Sequence, residues 1–306
     1  MRRGSLRAFA LLLFAAGAAA DIGPPSEGFR VAPYDLRAKL KTVCLRSIES
    51  DVEIADWRLR SAWLEQFLAH ELEQAGFSVA DSKRTEEVAQ AARTASGGLY
   101  DRYTGQPLAA KRAPVELAER ERLASELHCD ALLQPSIQLV RVRWQDGRAS
   151  WDHIAHSMGG GSGWLGTAAA LTLWLELRAT DGKLLLARGG GIETLSSVKG
   201  GGFLTPAEYA DIDPARLLAS DVWNARAVLA ALGALTNPPT QAISQCIEQR
   251  RAQAQADKKH REEIDPVGSR VACELAAFQF VPPPEEKTEP ETQPSPGPEG
   301  ATPSGT

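Results

Sequence analysis

The segment Asp152-His153-Ile154-Ala155-His156 holds the only closely spaced pair of histidines in the chain. Imidazole nitrogens and carboxylate oxygens are ligands that zinc accepts in proteins. On a helical turn His153 and His156 would share a face and could hold one ion with Asp152, whereas on a strand they would face opposite sides. Because the sequence offers no obvious further ligand, we interpret the segment as an exposed polar strand and keep the metal site as the alternative.

Two other segments begin like catalytic motifs but lack a required residue. His70-Glu71 opens like the zinc-binding helix of a metalloprotease, but Gln74 stands where the second histidine is needed. The glycines of residues 159–163 suggest a phosphate loop or a nucleophile elbow, but no Gly-Lys-Ser/Thr follows, and Trp164 replaces the final glycine of the elbow. The sequence therefore predicts neither a catalytic site nor a cofactor.

Three tryptophans are candidates for contacts with a partner protein: Trp151, Trp164 and Trp174. Trp164 ends the glycine-rich segment, which we interpret as a flexible hairpin loop. Trp174 would lie on the polar face of a strand, where a helix covers it or where it is available for binding.

The chain has four cysteines, Cys44, Cys129, Cys246 and Cys273, and none of them has the C-x-x-C spacing of a zinc site. In an oxidising compartment an even number of cysteines favours disulfides. We predict a disulfide between Cys246 and Cys273, the closest pair in the sequence. Cys44 and Cys129 lie in apolar segments and are interpreted as unpaired buried cysteines.

Residues 1–20 have the organisation of a cleavable secretory signal peptide. Arg2, Arg3 and Arg7 precede an apolar run of residues 8–20, which ends in three alanines. This run is too short to span a bilayer, and no later segment is apolar enough to do so. We therefore expect a periplasmic protein without a transmembrane segment in its mature chain, exported by the general secretory or the twin-arginine route.

The charge balance argues against nucleic acid as a partner. The chain has 34 basic and 39 acidic residues, and with the signal peptide removed its formal charge would be −8. Nucleic acids and anionic membranes attract basic surfaces, and no dense basic cluster with interleaved aromatic residues occurs.

The ends of the chain differ from its centre in composition. We expect an extended N-terminal arm over residues 21–40 and one main domain over residues 41–281. Residues 282–306 contain eight of the 19 prolines together with acidic and small residues, which predicts a disordered acidic tail.

The first half of the domain alternates between predicted strands and helices. Strands are predicted at residues 41–48 and 77–80. Helices are predicted at residues 56–75, capped by Asp56, at residues 85–95, and at residues 114–128 with Pro114 in the first turn.

The second half begins with strands and ends with helices. A strand is predicted at residues 130–144, with a bulge or a strong twist near Leu139-Val140, and another at residues 150–156. Strict alternation over residues 171–179, a turn at residues 180–183 and apolar residues 184–188 predict a hairpin.

After a glycine-rich link at residues 189–202 we expect a C-terminal helical part over residues 213–264 and a final strand within residues 270–281. This order predicts an α/β fold with helices packed on a mixed central sheet.

The order of elements resembles the envelope α/β domain shared by the TolB amino-terminal domain, the curli-secretion-channel lipoproteins and the lipoproteins that activate penicillin-binding proteins. The similar segments are LEQAGFSV at residues 72–79, ASELHCDALLQPSI at residues 124–137 and LTLWLELRATDGKLLLA at residues 171–187. The chain departs from this group because it lacks the lipid-anchoring cysteine and the long amphipathic hairpins of the pore-forming members.

The resemblance implies a non-enzymatic accessory protein of the cell envelope that binds other envelope proteins during assembly, secretion or cell-wall synthesis. The alternative is a metal-dependent periplasmic hydrolase that uses Asp152, His153 and His156. The partner's identity and the formation of homo-oligomers are left open.

Overall fold

The computed structural model describes residues 28–98, 104, 106, 108–146, 148–157, 165–195, 214–236, 238–256 and 266–284. The expected signal peptide, nearly all of the expected tail, and the loop that ends in Trp164 lie outside these residues. None of the helices in the described ranges is long and apolar enough to cross a membrane.

The described ranges contain nine strands and seven α-helices, which confirms the α/β class. The strands are β1 Gly28–Phe29, β2 Thr42–Leu45, β3 Glu49–Ser50, β4 Ser78–Ala80, β5 Ala131–Gln145, β6 Arg148–Trp151, β7 Ile154–Ser157, β8 Leu165–Ala179 and β9 Leu184–Thr194. The helices are α1 Pro33–Lys39, α2 Trp57–Gln74, α3 Ser82–Ala95, α4 Ala109–Leu127, α5 Asp221–Leu232, α6 Gln241–Ala256 and α7 Pro266–Ala277.

All nine strands belong to one mixed sheet, whose main path runs β1-β9-β8-β5-β2-β4. Strand β2 pairs in parallel with β4 and β5, while β5, β8 and β9 pair antiparallel. The predicted hairpin is confirmed as the β8–β9 connection, where Gly182 has a φ of 88° in the turn and its N–H donates to the Ala179 carbonyl.

Helices cover both faces of the sheet. On one face the leucines of β8, with Val43 and Leu133 from neighbouring strands, pack in the main core against α2, α5 and α7. On the other face Cys44 and Leu132 pack against Val88 of α3 and Leu123 of α4. The strict alternation of β8 corresponds to one face that packs its leucines in the main core and an opposite face that carries Thr172, Trp174, Glu176 and Arg178.

A proline in the middle of the sheet is tolerated at a gap in the strand pairing. Pro135 lies in β5, between the part that pairs with β2 and the part that pairs with β3. The Arg46 N–H donates to the Leu133 carbonyl and the Asp51 N–H to the Ile137 carbonyl, so no partner strand needs an N–H from residue 135. A proline is compatible with a central strand at such an interruption.

Three glycines expected in a flexible link form part of β9 instead. A Cβ on Gly190 would lie 1.9 Å from the Ala227 carbonyl oxygen of α5, and one on Gly189 would lie 2.6 Å from the Asp152 side chain. A Cβ on Gly191 would lie 2.5 Å from the side chain of Ile154. The glycines therefore mark a strand approached closely on both faces, rather than a break in the chain.

The predicted strand over residues 150–156 is in fact the β6–β7 hairpin. Asp152 and His153 form its turn, with φ values of 39° and 66°. Of the bulge or strong twist predicted at Leu139-Val140, the bulge is wrong, because β5 and β8 pair without a register shift there. The face of β5 that is buried changes along the strand, because different parts of the molecule cover its two halves. Leu139 is exposed, whereas Val142 on the opposite face packs in a small cluster with Ala149 and Ala168.

Several helix boundaries also differ from the predictions. Residues 21–40 are not a wholly extended arm, since α1 begins at Pro33, and α4 begins at Ala109, so that Pro114 lies inside the helix. Asp56 precedes α2 but its side chain makes no capping hydrogen bond. The final strand predicted within residues 270–281 is helix α7, which begins with Pro266 at its first position.

Candidate binding cleft

The structure does not assemble Asp152, His153 and His156 into a described metal site. The Asp152 carboxylate accepts a hydrogen bond from the Thr172 hydroxyl, which fastens the β6–β7 turn to the sheet. His153 is exposed at the same turn, and His156 lies in β7, opposite Ala149 of β6. The clustered His, Asp and Glu ligands found within the described ranges involve other residues.

Of the three candidate tryptophans, the described ones serve in packing. Trp174 is only 9% exposed, although it lies on the strand face that the sequence pattern predicts to be polar. Trp151 is half-buried, and its ring N–H donates to the Leu171 carbonyl at 3.4 Å. Trp164 lies outside the described residues.

Both cysteine pairs form disulfides. The predicted Cys246–Cys273 disulfide is confirmed and joins α6 to α7. Cys44 and Cys129 are also bonded, so the interpretation that they are unpaired was wrong. They lie far apart in the sequence, but the parallel pairing of β2 with β5 brings their Cα atoms to 5.7 Å.

A cleft of about 960 Å³ lies on the α3/α4 face of the sheet. We call it the arginine cleft. It is lined by five arginines, four glutamates, one glutamine and four small or apolar residues: Arg46, Glu49, Arg93, Leu108, Ala109, Arg112, Glu116, Glu119, Arg120, Leu132, Gln134, Glu176, Arg178 and Gly182. Its volume lies within the range of ordinary ligand pockets, and its lining is far more charged than theirs.

The inner end of the arginine cleft is held by a closed ring of ion pairs. Arg46 contacts Glu119 and Glu86 at 3.2 Å each, while Arg93 contacts Glu119 at 3.3 Å and also pairs with Glu86. Although burial alone would raise it, the two guanidinium groups lower the pKa of Glu86 below its ordinary value. Glu119 is almost fully buried, so this ring rigidly connects β2, α3 and α4.

Arg120 is the least satisfied of the cleft arginines. Its buried Nε has no hydrogen-bond partner among the described residues, and its Nη1 lies 4.0 Å from Glu116. Gly182 sits against this guanidinium, and a Cβ there would approach Arg120 Nη2 to 3.3 Å. Arg120 lines the cleft and its one ion pair is long, so an oxygen acceptor supplied by a ligand could form a charge-assisted hydrogen bond with its guanidinium group.

The wall and rim of the cleft complete its mixed charge. Arg178 pairs with Glu176 at 2.8 Å on β8, and Arg112 pairs with Glu116 at 2.9 Å on the outer turn of α4. Counting Glu86 of the ring, five glutamates accompany the five arginines, so the formal charges of the cleft balance. It is suited to a ligand with both hydrogen-bonding groups and isolated negative charge.

Sequence reasoning missed the arginine cleft because its residues come from five separate elements and form no local motif. The signal that the sequence did carry is on α4, where Arg112, Glu116 and Arg120 recur at helical spacing. That pattern alone is typical of any solvated helix face, and only the sheet topology places Arg46 and Arg178 opposite it.

In comparisons with models of protein families, with curated proteins and with solved structures, nothing matches this chain.

Proposed function

We propose that this protein is a non-enzymatic accessory protein of the cell envelope, which acts by binding a segment of another envelope protein in the arginine cleft. The observation that carries the proposal is the cleft itself, about 960 Å³ in volume and lined by five arginines. One of them, Arg120, keeps a buried N–H without an acceptor among the described residues.

The composition of the cleft favours a protein segment over a nucleotide or another polyanion. A polyphosphate site concentrates unpaired positive charge, whereas Arg46 and Arg93 are each shared between two glutamates. Mixed and mostly paired charges give orientation and specificity at protein interfaces. An acidic side chain of the partner would fit against Arg120, with its neighbouring polar groups contacting the rest of the wall.

Three features support a location in the envelope. The two disulfides are compatible with an extracytoplasmic location. Residues 1–20 have the composition of a signal peptide, and the element order resembles the TolB and curli-channel group of envelope proteins. We propose that the mature protein is located in the periplasm. The proposal makes no claim about the formation of homo-oligomers.

The proposal is tested by affinity purification from envelope extracts of cells that produce the full chain. The wild type is compared with Arg120→Gln and with Arg250→Gln, a matched exposed arginine on α6 outside the cleft. Circular dichroism and thermal unfolding verify that each variant is folded.

We expect a defined partner whose recovery falls about tenfold or more in Arg120→Gln, because the loss of one interfacial charge pair costs about 2–5 kcal/mol. Recovery should be unchanged in Arg250→Gln. Equal recovery with all three chains would contradict the placement of the interface, and the absence of any reproducible partner would contradict the function.

A further inference from the structure

A second group of polar residues lies on the opposite side of the sheet, between α2 and α7. His70 and Glu71 of α2 meet Glu274 of α7, and each residue offers one ligand atom within 4.8 Å of those of the other two. Glu71 is 1% exposed and Glu274 is 2% exposed. Two carboxyl groups removed from water in this way need compensation from their surroundings.

That compensation is incomplete. Arg270 lies 3.7 Å from Glu71 Oε2 and 3.4 Å from Glu274 Oε1. The other oxygen of each carboxylate, Glu71 Oε1 and Glu274 Oε2, is buried and has no hydrogen-bond partner among the described residues. The Nε2 atom of His70 is also buried and has no hydrogen-bond partner among the described residues.

The charges in the cluster do not balance either. One guanidinium faces two buried carboxyl groups. Arg270 is itself held in place, because its Nη2 donates to the Thr236 carbonyl at 3.2 Å. It therefore orients one oxygen of each carboxylate and leaves the other available.

The imidazole of His70 is fixed by its aromatic neighbours. Its ring centroid lies 6.3 Å from that of Phe67 on the same helix and 5.6 Å from that of Phe278, just beyond α7. An imidazole held in this way loses little further freedom when it binds a ligand.

We propose that His70, Glu71 and Glu274 bind one divalent transition-metal ion, with zinc as the representative ion. One imidazole and two carboxylates match the donor types that zinc accepts, and three protein ligands leave a position for water. The ion would satisfy Glu71 Oε1, Glu274 Oε2 and His70 Nε2, which have no hydrogen-bond partner among the described residues.

The metal would tie α7 to α2, next to the disulfide that ties α7 to α6 through Cys273. The site goes beyond the proposed function, since it lies on the sheet face that carries α2 and α7, away from the arginine cleft.

The test is zinc binding by the full chain, freed of metal with a chelator, measured by equilibrium dialysis and by the thermal shift on adding zinc. Two variants are compared with the wild type: His70→Gln, which keeps a good helix former in α2, and His153→Asn, which suits the positive φ of the β6–β7 turn. His153→Asn is the matched control because it removes the histidine of the alternative metal segment.

We expect one zinc ion per chain in the wild type and in His153→Asn, with affinity reduced more than about 100-fold in His70→Gln, since even the loss of a group behind a ligand costs about 10–100-fold. No zinc binding by the wild type would overturn the proposal. Equal binding by His70→Gln, or loss confined to His153→Asn, would overturn it as well.

If His70→Gln does not fold, Glu274→Gln replaces it. Glutamine has the size and hydrogen-bonding shape of a protonated glutamate, so this variant keeps the apo arrangement while it removes an anionic ligand. Wild-type zinc affinity in folded Glu274→Gln would contradict the assignment.

Discussion

At the scale of single residues, Gly190 shows how closely α5 packs against β9. Its α-hydrogen faces the Ala227 carbonyl of α5, where a Cβ would lie 1.9 Å from a backbone oxygen. We expect Gly190→Ala to lower the free energy of unfolding by at least about 2 kcal/mol, because neither backbone can yield without separating α5 from β9.

Urea denaturation measures this effect. Gly76→Asn is the control, since a Cβ there meets nothing within 4 Å and Asn tolerates positive φ; we expect a loss below about 1 kcal/mol. Equal losses for the two variants would show that the contact between α5 and β9 is not tight.

Glu65 gives the fold a dependence on pH. Its carboxyl group receives hydrogen bonds from the Ile48 N–H and the Ser82 hydroxyl, and burial raises its pKa above the ordinary value of 4.5. A raised pKa favours the neutral form in the folded state, so this contribution to stability is complete below about pH 4.5 and is lost as the pH rises through the raised pKa.

Glu65→Gln keeps an acceptor and removes the titration. We therefore expect the wild type to lose stability relative to this variant as the pH rises above 4.5 in urea denaturation series. A difference in unfolding free energy that stays constant, or that moves in favour of the wild type as the pH rises, would contradict the assignment.

The sequence shows which residues could bind a metal ion, but it does not show which of them lie close together in the fold. His70-Glu71 does not complete the metalloprotease motif, because Gln74 stands where the second histidine is needed. The third member of the cluster, Glu274, comes from the last described helix, and no local spacing links it to α2. A sequence motif reveals metal ligands only when those ligands lie on the same helix, strand or turn.

At the scale of elements, the two disulfides close loops of different length. Cys44 and Cys129 are separated by 85 residues, and Cys246 and Cys273 by 27. In the chain-entropy description the longer loop should contribute about 1 kcal/mol more, within an overall range of about 2–5 kcal/mol for each bond.

Paired alanine variants, Cys44→Ala/Cys129→Ala and Cys246→Ala/Cys273→Ala, test this order by urea denaturation. The first pair should lose more stability, and it also removes a buried contact with Val88 and Leu123. A larger loss of stability for the second pair would contradict this order. It would indicate that the Cys246–Cys273 disulfide stabilises α7 by more than its effect on loop entropy.

Elements with strict periodicity were predictable, and those whose identity depends on neighbours were not. The alternation over residues 171–179 identified the β8–β9 hairpin correctly. The glycines of β9 suggested a link because the sequence cannot show that Ala227 and Asp152 approach them. Helix α7 was mistaken for a strand because Val271, Cys273 and Leu275 also satisfy a period of two.

At the scale of the whole molecule, the sheet separates two sites. The arginine cleft lies on the face covered by α3 and α4, and the His70 cluster lies among the helices of the opposite face. Distant sites without shared partners usually behave independently. We therefore expect His70→Gln to recover as much envelope partner as the wild type, with or without a chelator.

Partner recovery, quantified side by side for the two chains, checks this independence. A loss of partner in folded His70→Gln would show that the metal cluster controls the cleft through the sheet, or that the binding surface is on the α2/α7 side.

The most direct measurement of the central claim is site-specific photocrosslinking in cells. A photoreactive residue is placed at Arg112, a 78% exposed side chain on the cleft rim, or at Tyr34, which is 75% exposed on α1 outside the cleft. We predict a discrete crosslinked envelope protein from position 112 that disappears when Arg120→Gln is added, and none from position 34. The same adduct from position 34 alone, or an adduct at 112 that persists in Arg120→Gln, would contradict binding in the arginine cleft.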